Sequence, residues 1–132
     1  MIEKWLYGNR VELALIRKFE KEYSFTFPQE FVCVVMGNNY GRPVPNSIDS
    51  AMGKEQSIKA LLSFIRADVE NIWDFTEILL NYGIRDRIPF AIDDFGNLFC
   101  FDTNMNISLL DFDENVEVSI CQSFEQLIKN LK

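Results

Sequence analysis

The chain has 132 residues, of which 48% are hydrophobic and 12 are phenylalanine, and it carries a net charge of −7 without any histidine. Such a composition is typical of one globular domain, residues 1–132, with a large apolar core. The lack of histidine excludes Ser-His-Asp and Cys-His nucleophiles and His-ligated zinc. Neither a signal-peptide pattern nor an 18-residue apolar run occurs, so we expect a cytoplasmic protein that does not enter a membrane.

The negative charge is concentrated in the second half. Residues 1–66 hold nine basic and seven acidic side chains, whereas residues 67–132 hold four and thirteen. Between Ile88 and Ile128 there are eight acids and no base. A surface of this kind repels phosphates, which disfavours direct nucleic acid binding, and attracts a basic protein. A solvated acidic surface that serves solubility is the alternative interpretation.

Two helices are predicted in the first part of the chain. Asn9 and Glu12 have the spacing of a capping box, and an apolar residue recurs every fourth position behind them. Pro28 suits the first turn of the second helix, which Gly37–Gly41 ends. The predicted apolar faces consist of Val11, Leu15, Phe19 and Tyr23 in the first helix and Phe31, Val32 and Val35 in the second.

Residues 42–65 are harder to assign. A short strand is predicted at Ser47–Met52, while Ile58–Ile65 suits either a strand or the start of a helix. From Asp68 onward, Val69, Ile72 and Trp73 keep helical spacing until Gly83 stops the helix.

The second half predicts a sheet. Strands are expected at 88–92, 97–102, 107–111 and 116–120, and in the last of these Val116, Val118 and Ile120 alternate with polar residues. Ser123 and Gln126 have capping-box spacing at the start of a terminal helix. The short gaps between strands cannot hold crossover helices, so we expect an α+β fold with a mainly antiparallel, mixed sheet of about five or six strands backed by helices.

The turn between the first two of these strands has a defined prediction. Gly96 should supply a positive φ, and Asp94 or Asn97 the turn hydrogen bonds. The three cysteines, Cys33, Cys100 and Cys121, lack metal-type spacing and are expected to be small buried hydrophobic residues.

The candidate partner-binding residues are mainly acidic. To them we add Tyr40 and Arg42, because both residue types are enriched at interface hot spots. An alternative interpretation gives Tyr40 a place over the core at the end of its helix. The full candidate set is Asp93, Asp94, Asp102, Asp111, Asp113, Glu114, Glu117, Tyr40 and Arg42.

Three segments, in this order, resemble the SUKH superfamily (Smi/Knr-like). They are Phe27-Pro-Gln-Glu-Phe31 followed by Asn38-Asn-Tyr-Gly41, then Pro89-Phe-Ala-Ile-Asp-Asp-Phe-Gly-Asn97, then Ser123-Phe124. The first of them departs from the family's Asn-Gly-Gly loop, because Tyr40 stands in place of a glycine. The resemblance implies a helix-backed mixed sheet and, for many bacterial members, an immunity protein that binds and silences a cognate toxin, often a nuclease.

These observations predict a non-enzymatic binding protein without catalytic residues, metal or cofactor, whose partner is a basic toxin domain. A regulatory or scaffolding module of the same fold is the first alternative. The second is an acidic hydrolase whose magnesium would be held by Asp93, Asp94, Asp102 and Asp111, since magnesium takes oxygen ligands.

Overall fold

A computed structural model describes residues 2–132. Two helices come early, one lies in the middle and one closes the described chain. They are α1 (Leu13–Tyr23), α2 (Gln29–Asn38), α3 (Ile72–Asn81) and α4 (Phe124–Asn130).

The strands form one large sheet and two small ones. A five-stranded antiparallel sheet contains β5 (Ala60–Leu61), β6 (Ile88–Ile92), β7 (Leu98–Phe101), β8 (Ile107–Asp111) and β9 (Val116–Cys121), in that spatial order. The remaining strands pair antiparallel as β1 (Lys4–Leu6) with β2 (Arg42–Val44) and β3 (Ser47–Asp49) with β4 (Glu55–Ser57). The prediction of an α+β fold with a mostly antiparallel sheet is confirmed.

Phenylalanine side chains hold the helices on the sheet. The ring centroid of Phe31 on α2 lies 5.7 Å from that of Phe90, 5.6 Å from Phe101 and 5.2 Å from Phe124 on α4. Phe19 on α1 meets the ring of Trp73 on α3 at 5.1 Å. These rings are all fully buried, so the core is a continuous aromatic layer of the kind that dominates packing energy.

Two helix starts differ from prediction. Helix α1 begins at Leu13 rather than behind a capping box, because the backbone of Asn9 pairs with Asn39 instead of capping the helix. Helix α3 begins at Ile72, where the Asn71 side chain accepts a hydrogen bond from the backbone N–H of Asp74. Val69, which we expected on the helix, precedes it and is 86% exposed.

The end of the chain follows the predicted pattern more closely. Ser123 Oγ accepts from the backbone N–H of Gln126 at 3.0 Å, and Gln126 Oε1 accepts in return from the N–H of Gln122 at 2.9 Å. In β9 the predicted alternation is wrong at its first member. Ile120 is buried but Val116 is 50% exposed, since β9 is the edge strand and its first residues extend beyond the covered core.

The ambiguous segment 42–65 consists of short strands. Ile58–Ile65 contains β5 rather than a helix start, and β3 covers the first part of the predicted strand at 47–52. The turn that joins β3 to β4 reaches the large sheet, where the N–H of Ala51 donates to the carbonyl of Ser119 on β9 at 2.8 Å.

The cysteine prediction holds for one residue of three. Cys100 is buried in β7, and burial raises the pKa of its thiol. Cys121 is half-buried, and Cys33 is exposed, because it lies on the face of α2 opposite Phe31 and Val35. None of the helices within residues 2–132 has the length and apolar character needed to cross a membrane.

Candidate partner-binding end of the sheet

The turn between β6 and β7 is organised by a buried carboxylate. Asp93 is 4% exposed, and its Oδ1 accepts from the N–H groups of Phe95 at 2.9 Å and Asn97 at 2.8 Å. Gly96 adopts φ 85°, as predicted. Of the two residues predicted to make the turn hydrogen bonds, Asn97 makes them as a donor, since its Nδ2 also lies 3.2 Å from Asp93 Oδ2. Asp94 is exposed and has no part in these bonds, and Asp93 is the acceptor.

The turn between β8 and β9 lies beside the first one. Asp111 Oδ1 accepts from the N–H groups of Asp113 at 3.1 Å and Glu114 at 3.0 Å. The N–H of Phe112 donates to Asn97 Oδ1 at 3.1 Å, which joins the two turns. We call this side of the sheet the acidic end: the exposed Asp94, Asp113 and Glu114, together with the half-buried Asp111.

Asp102 lies at the opposite end of the sheet, in the turn between β7 and β8. Its Oδ1 accepts from the N–H groups of Asn104 at 2.8 Å and Asn106 at 3.0 Å. This turn therefore repeats the hydrogen bonding of the Asp93 turn. The antiparallel register separates it from the acidic end by the length of a strand, so the structure does not bring Asp102 together with the other candidates.

Glu117 on β9 is neutralised by Arg87. Arg87 Nε donates to Glu117 Oε2 at 2.6 Å and Nη2 to Oε1 at 3.1 Å, and Ser108 Oγ donates to Oε2 at 2.8 Å. The guanidinium lowers the pKa of the carboxyl, and the carboxylate raises the pKa of Arg87. Arg87 immediately precedes the segment 88–128, so the count of eight acids and no base leaves out the arginine that neutralises Glu117. The free negative charge of this segment is therefore smaller than that count indicates.

The magnesium site considered above is not formed. Asp93 is committed to its turn and Asp102 lies at the other end of the sheet. Among residues 2–132, no three Asp, Glu, Cys or His side chains converge in a way that could hold a metal ion.

Tyr40 and Arg42 line a cleft at the β5 side of the acidic end. The cleft has a volume of about 270 Å³, and its walls are Tyr7, Tyr40, Arg42, Lys59, Ala60 and Glu70. Lys59 Nζ binds Glu70 at 2.7 Å, and the Tyr40 hydroxyl donates to the same carboxylate at 3.2 Å. Burial, aided by Glu70, raises the pKa of Tyr40, while the hydrogen bond to Glu70 raises that of Lys59.

Lys59 connects this cleft, which we call the Arg42 cleft, to the acidic end. It precedes β5 and its backbone N–H donates to the carbonyl of Ile92 at 2.8 Å, which places it beside the Asp93 turn. The charge of Asp94 acts on Lys59 and favours its protonated form. The candidates Tyr40 and Arg42 thus share a cleft with Lys59, whose charge interacts with that of Asp94.

The two tyrosines of the cleft have unusual backbone conformations. Tyr7 has φ 65° and Tyr40 has φ 64°, in the left-handed region that bulky residues rarely occupy. A fully buried Asn39 links the two loops, because its Nδ2 donates to Asn9 Oδ1 at 3.0 Å and to Ser63 Oγ at 3.1 Å. Tyr40 therefore takes the conformation that a glycine at this position would adopt readily.

An apolar groove flanks the acidic end on the β9 side. It has a volume of about 480 Å³ and is lined by Tyr82, Ile84, Leu110, Asp111, Phe112, Asn115, Val116 and Glu117. The exposed rings of Tyr82 and Phe112 lie 6.2 Å apart. Tyr7, Lys59 and Tyr82 were missed by the sequence analysis, although both tyrosines directly precede a glycine, which is a usable signal for an exposed turn.

Comparison with known proteins gives one family. No curated protein matches the chain. The model of the SMI1 / KNR4 family (SUKH-1) matches residues 11–130, a span that contains all of the acidic end and the Arg42 cleft except Tyr7, and the chain belongs to this family.

Proposed function

We propose that this protein is a non-enzymatic immunity protein that binds a basic toxin domain, of nuclease type, and covers its active face. Family membership supports a protein-interaction role of the immunity type at the level of the family. The observation that carries the proposal for this chain is the acidic end, where two hydrogen-bonded turns present Asp94, Asp113 and Glu114 to solvent side by side.

The acidic end is suited to a basic protein for a physical reason. The three exposed carboxylates make no ion pair with any residue between 2 and 132. No ion pair within that range therefore cancels their negative charge. A nuclease presents cationic side chains to bind phosphates, and these can pair with the free carboxylates. Complementary charge of this kind steers association and fixes the register of the complex.

Rigid turns support the same proposal. The Oδ1 atoms of Asp93 and Asp111 accept hydrogen bonds from the backbone of their own turns. The exposed acids therefore lie on ordered loops. A preordered surface loses little conformational entropy when a partner binds. The proposed contact consists of Asp94, Asp111, Asp113 and Glu114, flanked by Tyr40 and Arg42 on one side, and it leaves out Asp93, Asp102 and Glu117.

The test replaces exposed charges without touching the turns. In a triple variant, Asp94→Asn, Asp113→Asn and Glu114→Gln, we expect the melting temperature to stay nearly constant, since exposed charges contribute about 0–1 kcal/mol to folding. Affinity for the cognate toxin should fall at least about tenfold, which corresponds to about 1.4 kcal/mol. Calorimetric titration measures the affinity, and rescue of toxin-expressing cells measures neutralisation.

A matched control separates local contact from total charge. Glu3→Gln, Glu12→Gln and Glu55→Gln change the net charge by the same amount on exposed acids outside the acidic end. Affinity should change much less in this control. Equal losses in the two triple variants would reduce the role of the acidic end to overall charge, and full rescue by the first variant would contradict the proposal.

Salt dependence gives a second measurement. Steering by an acidic face raises the association rate by about 10- to 1000-fold and weakens as the screening length falls to about 8 Å near physiological ionic strength. We expect the association rate to fall with added salt in stopped-flow mixing. A rate that is the same at low and high salt would argue against steering.

A further inference from the structure

Arg42 carries an uncompensated charge in an otherwise satisfied cleft. The carboxylate of Glu70 is occupied twice, by Lys59 at 2.7 Å and by the Tyr40 hydroxyl at 3.2 Å. The half-buried Arg42 makes no side-chain hydrogen bond or ion pair with any other residue in the range 2–132. Its guanidinium donors are therefore free within the described chain, and its side chain lines the cleft.

The walls of the cleft are held in place by the backbone. Tyr7 and Tyr40 both occupy the left-handed region, and strained residues of this kind persist where the surroundings fix them. Next to Tyr40, a Cβ added to Gly41 would lie 2.8 Å from the carbonyl oxygen of Asn38, so a larger residue would force the backbone of this loop to shift. The buried Asn39 ties this loop to the one that carries Tyr7.

The chemistry of this cleft selects a carboxylate. A guanidinium binds a carboxylate through two parallel N–H donors, a geometry that gives both strength and orientation. The net charge of −7 and the charge of Asp94 near Lys59 weaken the binding of free anions, so a small free carboxylate should bind only in the millimolar range and a nucleotide more weakly still. An acidic side chain carried on a basic protein is brought to the cleft by the rest of the interface instead.

We propose that the Arg42 cleft seats an aspartate or glutamate side chain of the protein partner, bound by the Arg42 guanidinium between Tyr7 and Tyr40. This inference rests on the proposed function, since it assigns a second contact to the same interface. The acidic end attracts the basic face of the partner, and the cleft accepts an acid on that face. Contacts of opposite sign at two points determine the orientation of the partner, which a single acidic patch cannot do.

The first experiment needs no partner. N-acetyl-glutamate N-methylamide is titrated into the isotope-labelled protein at constant ionic strength, and the NMR signals of the Arg42 Nε–H and the Tyr40 amide are followed. We expect saturable, millimolar binding that moves these signals and that is lost in Arg42→Gln. The control is Arg85→Gln, which removes an exposed arginine near Asp102 and should leave binding unchanged.

Two further probes identify the group that binds. N-acetyl-glutamine N-methylamide has the same shape without the carboxylate, and N-acetylglycine carries a terminal carboxylate without the side chain. The proposal is overturned if the glutamine probe binds equally well, if N-acetylglycine binds more tightly than the glutamate probe, or if no signal moves up to the solubility limit.

The same variants distinguish this inference from the proposed function. With the cognate toxin, Arg42→Gln should weaken binding by about tenfold, and the loss should disappear when the toxin's own contacting acid is changed to its amide. Tight toxin binding that is insensitive to Arg42→Gln would remove the cleft and keep the immunity role. A toxin that does not bind at all, together with a positive probe titration, would remove the immunity role and keep the carboxylate site.

Discussion

The two ends of the large sheet use the same turn chemistry and reach opposite electrostatic results. In the turns at 93–97 and 102–106, an aspartate Oδ1 accepts from the N–H groups two and four residues later. At the Asp93 end, the neighbouring acids Asp94, Asp113 and Glu114 stay exposed. From the Asp102 end, Arg87 reaches across the sheet to Glu117, which lies opposite Leu110, and neutralises it at 2.6 Å.

This difference teaches that acid content along a sequence does not measure surface charge. Some carboxylates accept hydrogen bonds within turns and some form ion pairs. The remaining free carboxylates set the electrostatic potential that acts on a partner. Of the eight acidic residues between 88 and 128, only those of the acidic end form a compact group. The predictions that follow test this division.

The largest effect is expected from removing the turn carboxylates. Asp93→Ala should lower the free energy of unfolding by about 2–4 kcal/mol, because it strands two N–H groups next to the core and removes charge-assisted hydrogen bonds. Asp102→Ala should cost about 1 kcal/mol, since its turn is half-exposed and water replaces the lost acceptor. Urea unfolding of both variants measures the difference, and equal costs would show that the two turns are energetically alike.

The next effect concerns the left-handed position of the turns. It is occupied by Gly96 at φ 85° in one turn and by Met105 at φ 66° in the other. Gly96→Val should destabilise the fold by about 1–3 kcal/mol through backbone strain. A steric clash does not contribute, because no atom of the described residues lies within 4 Å of an added Cβ.

Gly96→Asn is the matched control for this variant. Asparagine tolerates the left-handed region, and Asn115 adopts φ 55° in the third turn, so this variant should unfold close to the parent protein. If valine melts with the parent as well, the conformational requirement at position 96 is absent.

The smallest effect is a pH dependence at Glu117. Arg87 holds the folded-state pKa of this carboxyl below its ordinary value of 4.5, so its stabilisation is present above that value and is lost as pH falls through the lower, folded-state pKa. The pair is partly exposed, and we expect Glu117→Gln to cost no more than about 1 kcal/mol at pH 7. The difference from the parent should shrink towards zero in acid.

Glu114→Gln sharpens this test, because Glu114 is exposed at the acidic end and makes no ion pair among residues 2–132. It should cause no loss of stability at pH 7. A Glu117→Gln cost that stays constant from neutral pH into strong acid would mean that the Arg87 pair does not act through charge.

The strands of the second half could be predicted from the sequence, whereas β1, β2 and β4 could not. Strands β6 and β8 match the predicted 88–92 and 107–111, because apolar runs between turn residues define a hairpin. Strands β1 and β2 pair across the chain, with Trp5 opposite Pro43. A proline disfavours a strand, and no local sequence pattern predicts a pairing between segments so distant in sequence.

The candidate site shows the same limit. Asp94, Asp113 and Glu114 could be nominated because acids in turns are exposed, but the pairing of Glu117 depends on a contact with Arg87 thirty residues away. The Arg42 cleft needs Tyr7, Lys59 and Glu70 from three separate segments. Composition and periodicity identify the type of residue, whereas the geometry that pairs or frees a charge comes from the tertiary fold.

The hydrogen bond from Ala51 to Ser119 affects the edge of the large sheet. Strand β9 is an edge strand, and an open edge is a template on which another chain can add a strand. The β3–β4 turn caps that edge at Ser119 and interrupts the row of backbone groups that a foreign strand would need. Shortening this hairpin would therefore expose a continuous sheet edge and favour aggregation, even though the hairpin lies outside the large sheet.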